Sequence, residues 1–218
     1  MSDYLANQHC DCLTDVDLSR VRAVVFGVQR SGSSWAWQVL GRLLGDGVLK
    51  THRYLLLPND MPVVATVRDF RDCVVSQWRV WHPQRTRMDR PDLFLHVGIF
   101  QENLWALHQY SLRHGCLTVG MYEQVRRIPK LWFASLLRFC GTGSPDYPAI
   151  RRAVRLFQMD ANRRVADQLT EPDASRLLVP HHVHEGKPGT WRRFVAREDW
   201  PLLTDLLREP LAWYGYLK

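Results

Sequence analysis

Lysine is nearly missing from this basic chain. Of its 29 Lys and Arg residues only Lys50, Lys130, Lys187 and Lys218 are lysines, and 22 acidic residues leave a net charge of +7. No run of five or more basic residues occurs, which argues against a disordered nucleic-acid-binding arm and for discrete anion sites. Apolar runs are short too. Nowhere do the roughly 18 apolar residues needed to cross a bilayer run together, and no basic segment followed by an apolar stretch opens the chain, so neither a membrane span nor a secretory signal is expected and the sequence reads as cytoplasmic. The cysteines, Cys10, Cys12, Cys73, Cys116 and Cys140, are odd in number and scattered, which fits reduced thiols better than a disulfide framework. His9-Cys10-Asp11-Cys12 makes half of a zinc site, but no second pair follows at suitable spacing, so residues 1–20 are expected to be a polar N-terminal segment. Repeats, low-complexity tracts and linkers are lacking as well. With 218 residues and 46% hydrophobic composition, residues 21–218 are expected to form one domain with a sizeable core.

What is present centres on Gly27-Val28-Gln29-Arg30-Ser31-Gly32-Ser33-Ser34-Trp35. The apolar, β-branched run 22–28 before it predicts a buried strand. Trp35, Val39, Leu40, Leu43 and Leu44 after it recur at helical spacing. A glycine- and serine-bearing loop between strand and helix offers unpaired N–H groups, the positive end of the helix dipole and hydroxyl donors, which together suit a phosphate-like anion. Arg30 adds a full charge. The spacing is nearly that of the nucleotide-binding pattern G-x-x-x-x-G-K-[ST], but Ser33 stands where its lysine would reach the β- and γ-phosphates.

Gly47 to His52 predicts a short strand whose Lys50 and His52, two apart, project from the same face. Residues 61–67 predict another buried strand, ending at Arg68. Cys73, Val74, Val75, Trp78 and Trp81 then continue at helix-compatible spacing, with Asp69 or Asp72 favouring the helix start. Arg68 and Ser76 are both suited to one further anion. Residues 91–113 read as a long helix, 116–121 as a strand and 131–139 as a helix. Asn162-Arg163-Arg164 and Arg151-Arg152 read as solvated helix faces.

In this order the motifs resemble those of sulfotransferases that use 3′-phosphoadenosine 5′-phosphosulfate (PAPS). Val28-Gln29-Arg30-Ser31-Gly32-Ser33-Ser34-Trp35 is similar to Y-P-K-S-G-T-T-W, Lys50-Thr51-His52 to K-[ST]-H, and Arg68 to Ser76 to R-N-P-x-D-x-x-x-S. His184-Glu185-Gly186-Lys187-Pro188-Gly189-Thr190-Trp191 is similar to R-K-G-x-x-G-x-W, with His184-Glu185 in place of a basic pair beside the 3′-phosphate. The resemblance implies a single α/β domain with a mainly parallel sheet and a P-loop-like phosphosulfate loop, which transfers a sulfonyl group to a hydroxyl or amine. It implies His52 as general base, Lys50 and Arg30 as charge stabilisers, and Ser31, Gly32, Ser33 and Ser34 as the loop that cradles the 5′-phosphosulfate. Arg68, Ser76 and the stretch Gly186, Lys187, Gly189, Thr190, Trp191 would hold the 3′-phosphate, with Trp35 and the strand-end Tyr122 near the adenine. No metal is implied, for His181, His182 and His184 either. Arg30 replaces the family's lysine and keeps the charge, although arginine is a poor proton donor at neutral pH.

The acceptor implied is a small molecule, lipid or carbohydrate, and no nucleic-acid partner is expected. Residues 81–96 are placed at its pocket. Two other readings stand beside this one. A P-loop kinase-like phosphotransferase would need Mg²⁺ and the missing Walker lysine, while a nucleic-acid-binding protein would use the basic charge and nine tryptophans but not His52.

Overall fold

A computed structural model describes residues 18–171 and 186–217. The strands are β1 (Ala23–Gly27), β2 (Val48–Thr51), β3 (Val63–Val67) and β4 (Leu117–Met121). They form an all-parallel sheet in the order β2-β1-β3-β4. Around it lie α1 (Ser33–Leu44), α2 (Phe70–Trp81), α3 (Arg90–Arg113), α4 (Tyr122–Arg127), α5 (Pro129–Phe139), α6 (Tyr147–Phe157), α7 (Met159–Gln168), α8 (Trp200–Leu206) and α9 (Arg208–Trp213). This is a single α/β domain, and its elements follow the sequence expectation to within a residue or two at most ends. The expected N-terminal segment 1–20 falls almost wholly outside the described residues, as do both histidine-bearing stretches considered for a metal.

Burial on both faces is what a parallel sheet covered by crossover helices requires, and every residue of β1 and of β3 is buried. Successive side chains alternate between the two faces. Val24 and Phe26 join Val63, Ala65 and Val67 in one cluster, which α2, α3, α8 and α9 cover with Phe70, Trp78, Phe100, Leu203 and Leu211. Ala23, Val25 and Val64 face the opposite way, into a second cluster with Val39 and Leu40 of α1, Phe133 of α5 and Ile150 of α6. Aspartates start the helices, as short acidic side chains at N-caps do. Asp69 accepts from Arg71 N at 3.0 Å, Asp89 from Asp92 N at 2.9 Å and Asp146 from Ala149 N at 3.0 Å.

One expectation is corrected. Asn162 is not part of a solvated face: it is buried and donates to Gln38 Oε1 at 2.7 Å and to Phe157 O at 3.0 Å. Asn162 Nδ2 makes both of these bonds as α7 closes over α1, while its Oδ1 is buried with no hydrogen-bond partner.

The strand order places β2 and β3 on opposite sides of β1, so the crossovers leave β1 in opposite directions. A crevice therefore opens at the carboxyl ends of β1 and β3, the position at which open α/β sheets bind ligands. Gly27 and Arg68 stand at those two ends.

Candidate functional site

The turn after β1 is shaped by backbone geometry that few residues tolerate. Gly32 precedes α1 with φ of 94°, and a Cβ there would meet the Tyr122 ring at 2.7 Å. Arg30 has φ of 67° and is the one non-glycine residue with positive φ among the described residues. Strain of that kind costs about 1–3 kcal/mol and persists where the surroundings hold it. Here Arg30 Nε donates to Ser76 Oγ at 3.0 Å, which ties the turn to α2. Withdrawal of the guanidinium from water pushes its pKa down to about 10, and nearby Arg68 and Arg79 push the same way. It remains cationic at neutral pH. Ser31 is fully buried and shares a hydrogen bond of 2.8 Å with Thr66 of β3, while Ser33 and Ser34 form the first turn of α1.

Lys50 and His52 are both buried, and Lys50 Nζ lies 2.8 Å from His52 Nε2. The other ring nitrogen, Nδ1, contacts the Gly27 carbonyl oxygen. A carbonyl can only accept, so Nδ1 carries the proton. Nε2 of the neutral ring then holds a lone pair, which takes an N–H from the Lys50 ammonium. Backbone and lysine together fix one tautomer. Asn103 of α3 completes the arrangement by accepting from Gln29 N at 3.1 Å and donating to His52 O at 3.3 Å. It joins the loop after β1 to the histidine.

Arg68 is buried, lies 5.2 Å from the Tyr122 ring centroid and donates to Lys187 O at 3.2 Å. Its Nε is buried without a hydrogen-bond partner. Asp72, a turn further along α2, accepts from Gly189 N at 2.7 Å and from Trp191 N at 2.9 Å, and so pins the 186–191 loop to the site. Burial pushes the Asp72 carboxyl pKa up, while Arg68 and the two N–H groups pull it back. Within the loop Thr190 Oγ1 donates to Lys187 O at 2.6 Å, Trp191 is buried, and the Lys187 side chain is exposed. The C-terminal segment braces the same region. Tyr216 donates its hydroxyl to Glu123 Oε2 at 2.6 Å, Glu123 Oε1 accepts from Asp69 N at 3.3 Å, and Arg71 Nη2 donates to Tyr216 O at 3.2 Å.

An aromatic slot runs beside the loop, lined by Gly32, Trp35, Tyr122, Val125 and Trp132. Trp35 packs edge-on against Phe133 at 5.5 Å, and its indole Nε1 is buried without a partner. The structure thus brings Arg30, Ser31, Gly32, Trp35, Lys50, His52, Arg68, Ser76 and Tyr122 to one end of the sheet. Ser76 is occupied by Arg30, not by Arg68. Thr66, Asn103 and Trp132 were not singled out from sequence, and Asp72 was read only as a helix-start charge.

Toward α3, His96 is fully buried with neither ring nitrogen hydrogen-bonded, and it lies against Trp81 at 5.0 Å and His82 at 6.1 Å. Burial pushes its pKa down to about 4, against a pull from Asp92, while His82 adds to the lowering. The unfolded chain therefore takes up a proton at this position near pH 6.5 and the folded one does not until about 4. The stability contribution is complete above pH 6.5 and is lost as pH falls toward 4, with a slope of at most about 1.4 kcal/mol per pH unit. Urea denaturation of His96→Phe across this range should show a flatter pH profile than the wild type. Equal slopes would remove His96 from the acid sensitivity.

Among solved structures the chain is similar to the mouse sulfotransferase SULT7A1 complexed with PAP, with a TM-score of 0.67 and 12% identity over 89% of this chain and 88% of the other. It is also similar to retinol dehydratase in complex with androsterone and the inactive cofactor PAP, with a TM-score of 0.62 and 14% identity over 87% and 80%. At these identities the likeness is one of fold. No protein-family model matches the chain, and no curated protein matches it.

Proposed function

We propose that this chain is a PAPS-dependent sulfotransferase acting on a hydroxyl or amine acceptor of the small-molecule, lipid or carbohydrate class. The observation that carries the reading is the Lys50-His52 pair at 2.8 Å, held against Gly27 at the end of an anion-type loop. The fold shared with two PAP-bound proteins, one of them a sulfotransferase, supports it.

The residues present fit the nucleotide. The unpartnered Arg68 Nε is a buried donor suited to a phosphate oxygen, and Trp35 and Tyr122 beside the loop are aromatic side chains of the kind that pack against a purine. Arg68 with the 186–191 loop would hold the 3′-phosphate, and Ser31 to Ser34 the 5′-phosphosulfate. Ser76, which accepts from Arg30 Nε at 3.0 Å, would add its hydroxyl to the 3′-phosphate site as the resemblance implies. When bound, PAPS supplies an activated sulfonyl group whose departure leaves 3′-phosphoadenosine 5′-phosphate.

His52 Nε2 takes the acceptor proton as the acceptor oxygen or nitrogen bonds to sulfur and the bond from sulfur to the phosphate oxygen breaks. Lys50 holds that lone pair in the resting protein and yields it to the acceptor, so its ammonium is available to the charge on the transferring group. Arg30, cationic at neutral pH, offsets the charge that accumulates on the leaving phosphate.

Calorimetric titration with 3′-phosphoadenosine 5′-phosphate, with ATP and Mg²⁺, and with single-stranded oligonucleotides tests this reading. Binding of the first ligand in preference to the other two is expected. Preference for ATP with Mg²⁺ would favour the kinase-like alternative, and preference for the oligonucleotide would favour the nucleic-acid-binding one.

A further inference from the structure

We propose that Arg126 is a second arginine of the 3′-phosphate site and supplies the cation that His184-Glu185 do not. The inference rests on the nucleotide reading above. Arg126 lies on α4, one turn after Tyr122, and its Nη1 donates to Gly186 O at 2.7 Å. Arg68 donates to the next carbonyl, that of Lys187, at 3.2 Å. The two guanidiniums thus hold consecutive carbonyls of one loop. They also share a ring: the Tyr122 centroid is 5.2 Å from Arg68 and 5.7 Å from Arg126.

Part of the loop's backbone is already engaged. Gly189 N and Trp191 N are both spent on Asp72, so these two amides are not open to an anion. What the loop directs toward the arginines is carbonyl oxygen, which an anion would avoid. With those two amides engaged, the neighbouring guanidiniums are well placed to meet negative charge arriving here. Each guanidinium has five N–H donors and commits one to the loop, which leaves several for phosphate oxygens. None of the described carboxylates forms an ion pair with Arg126, whereas Arg68 has Asp72 at 3.7 Å. An arginine pair on one phosphate monoester is the geometry that guanidinium recognition favours.

The test is titration of wild type, Arg126→Gln and Arg126→Lys with 3′-phosphoadenosine 5′-phosphate and with adenosine 5′-phosphate, at low and at moderate salt. Arg126→Gln should weaken the 3′-phosphorylated nucleotide by about 5- to 20-fold, less than a fully buried pair would give because the side chain is exposed. It should leave adenosine 5′-phosphate unchanged and flatten the salt dependence. Arg126→Lys should recover much of the loss. Equal weakening of both nucleotides, or a loss with undiminished salt dependence, would show that Arg126 only braces Gly186 and would overturn the proposal while leaving the function intact. A wild-type protein that binds the two nucleotides alike would overturn the function and this site with it.

Discussion

Replacing His52 with alanine should leave the affinity for 3′-phosphoadenosine 5′-phosphate close to that of the wild type while slowing sulfonyl transfer by roughly 10²–10⁴-fold. The split follows from geometry. Both ring nitrogens are engaged by the protein's own Gly27 carbonyl and Lys50 ammonium, so neither is a nucleotide ligand in the resting site. A group needed only when the acceptor loses its proton lowers turnover without lowering ground-state binding. The wild-type rate should also fall as pH decreases, because a protonated imidazole has no lone pair left to receive the acceptor's proton. The measurement needs an acceptor, found by screening hydroxyl compounds with labelled PAPS. Near wild-type turnover in His52→Ala would take the base role away from this residue.

Arg68→Ala should abolish the preference for the 3′-phosphorylated nucleotide over its analogue lacking that phosphate. In the wild type the preference should be on the order of 30- to 1000-fold, equivalent to about 2–4 kcal/mol for a desolvated, charge-assisted contact. Arg68 is buried, and its Nε has no hydrogen-bond partner to give up when the phosphate arrives. The variant also leaves Asp72 without its nearest cation at 3.7 Å. Asp72 keeps the two amides of the loop, so circular dichroism should report an intact fold. A variant that retained the preference would place the 3′-phosphate elsewhere.

The parts of this site that could be read from the sequence are those set by local rules. Alternation along a strand puts Lys50 and His52 on one side, and the structure joins them at 2.8 Å. A β-branched run, a glycine turn and a helical period announced β1, the loop and α1. What could not be read depends on how distant elements dock. Asn103 is one polar residue within a helix 24 residues long, and nothing in its neighbourhood says that it will meet Gln29 and His52. Asp72 looked like a helix-start charge because acidic residues favour that position, whereas its carboxylate is directed at a loop 117 residues later. Asn162 went astray for the same reason: flanking arginines suggested water, but its amide is matched by Gln38 across 124 residues.

The bracing of the site by Tyr216 bears on when the site comes into being. Glu123 and Tyr216 are 93 positions apart, Asp72 and Trp191 are 119, and Arg71 and Tyr216 are 145. Closing loops of that length has to be completed before any of these bonds can form, and contacts of high sequence separation are the slow ones in folding. The strands can pair with nearer neighbours, but the crevice at their carboxyl ends is braced only when residues 191–216 dock. Leu203 and Leu211 close one face of the core from the same stretch, so a polypeptide still on the ribosome that stops short of it has the strands but neither that closed face nor the braced crevice.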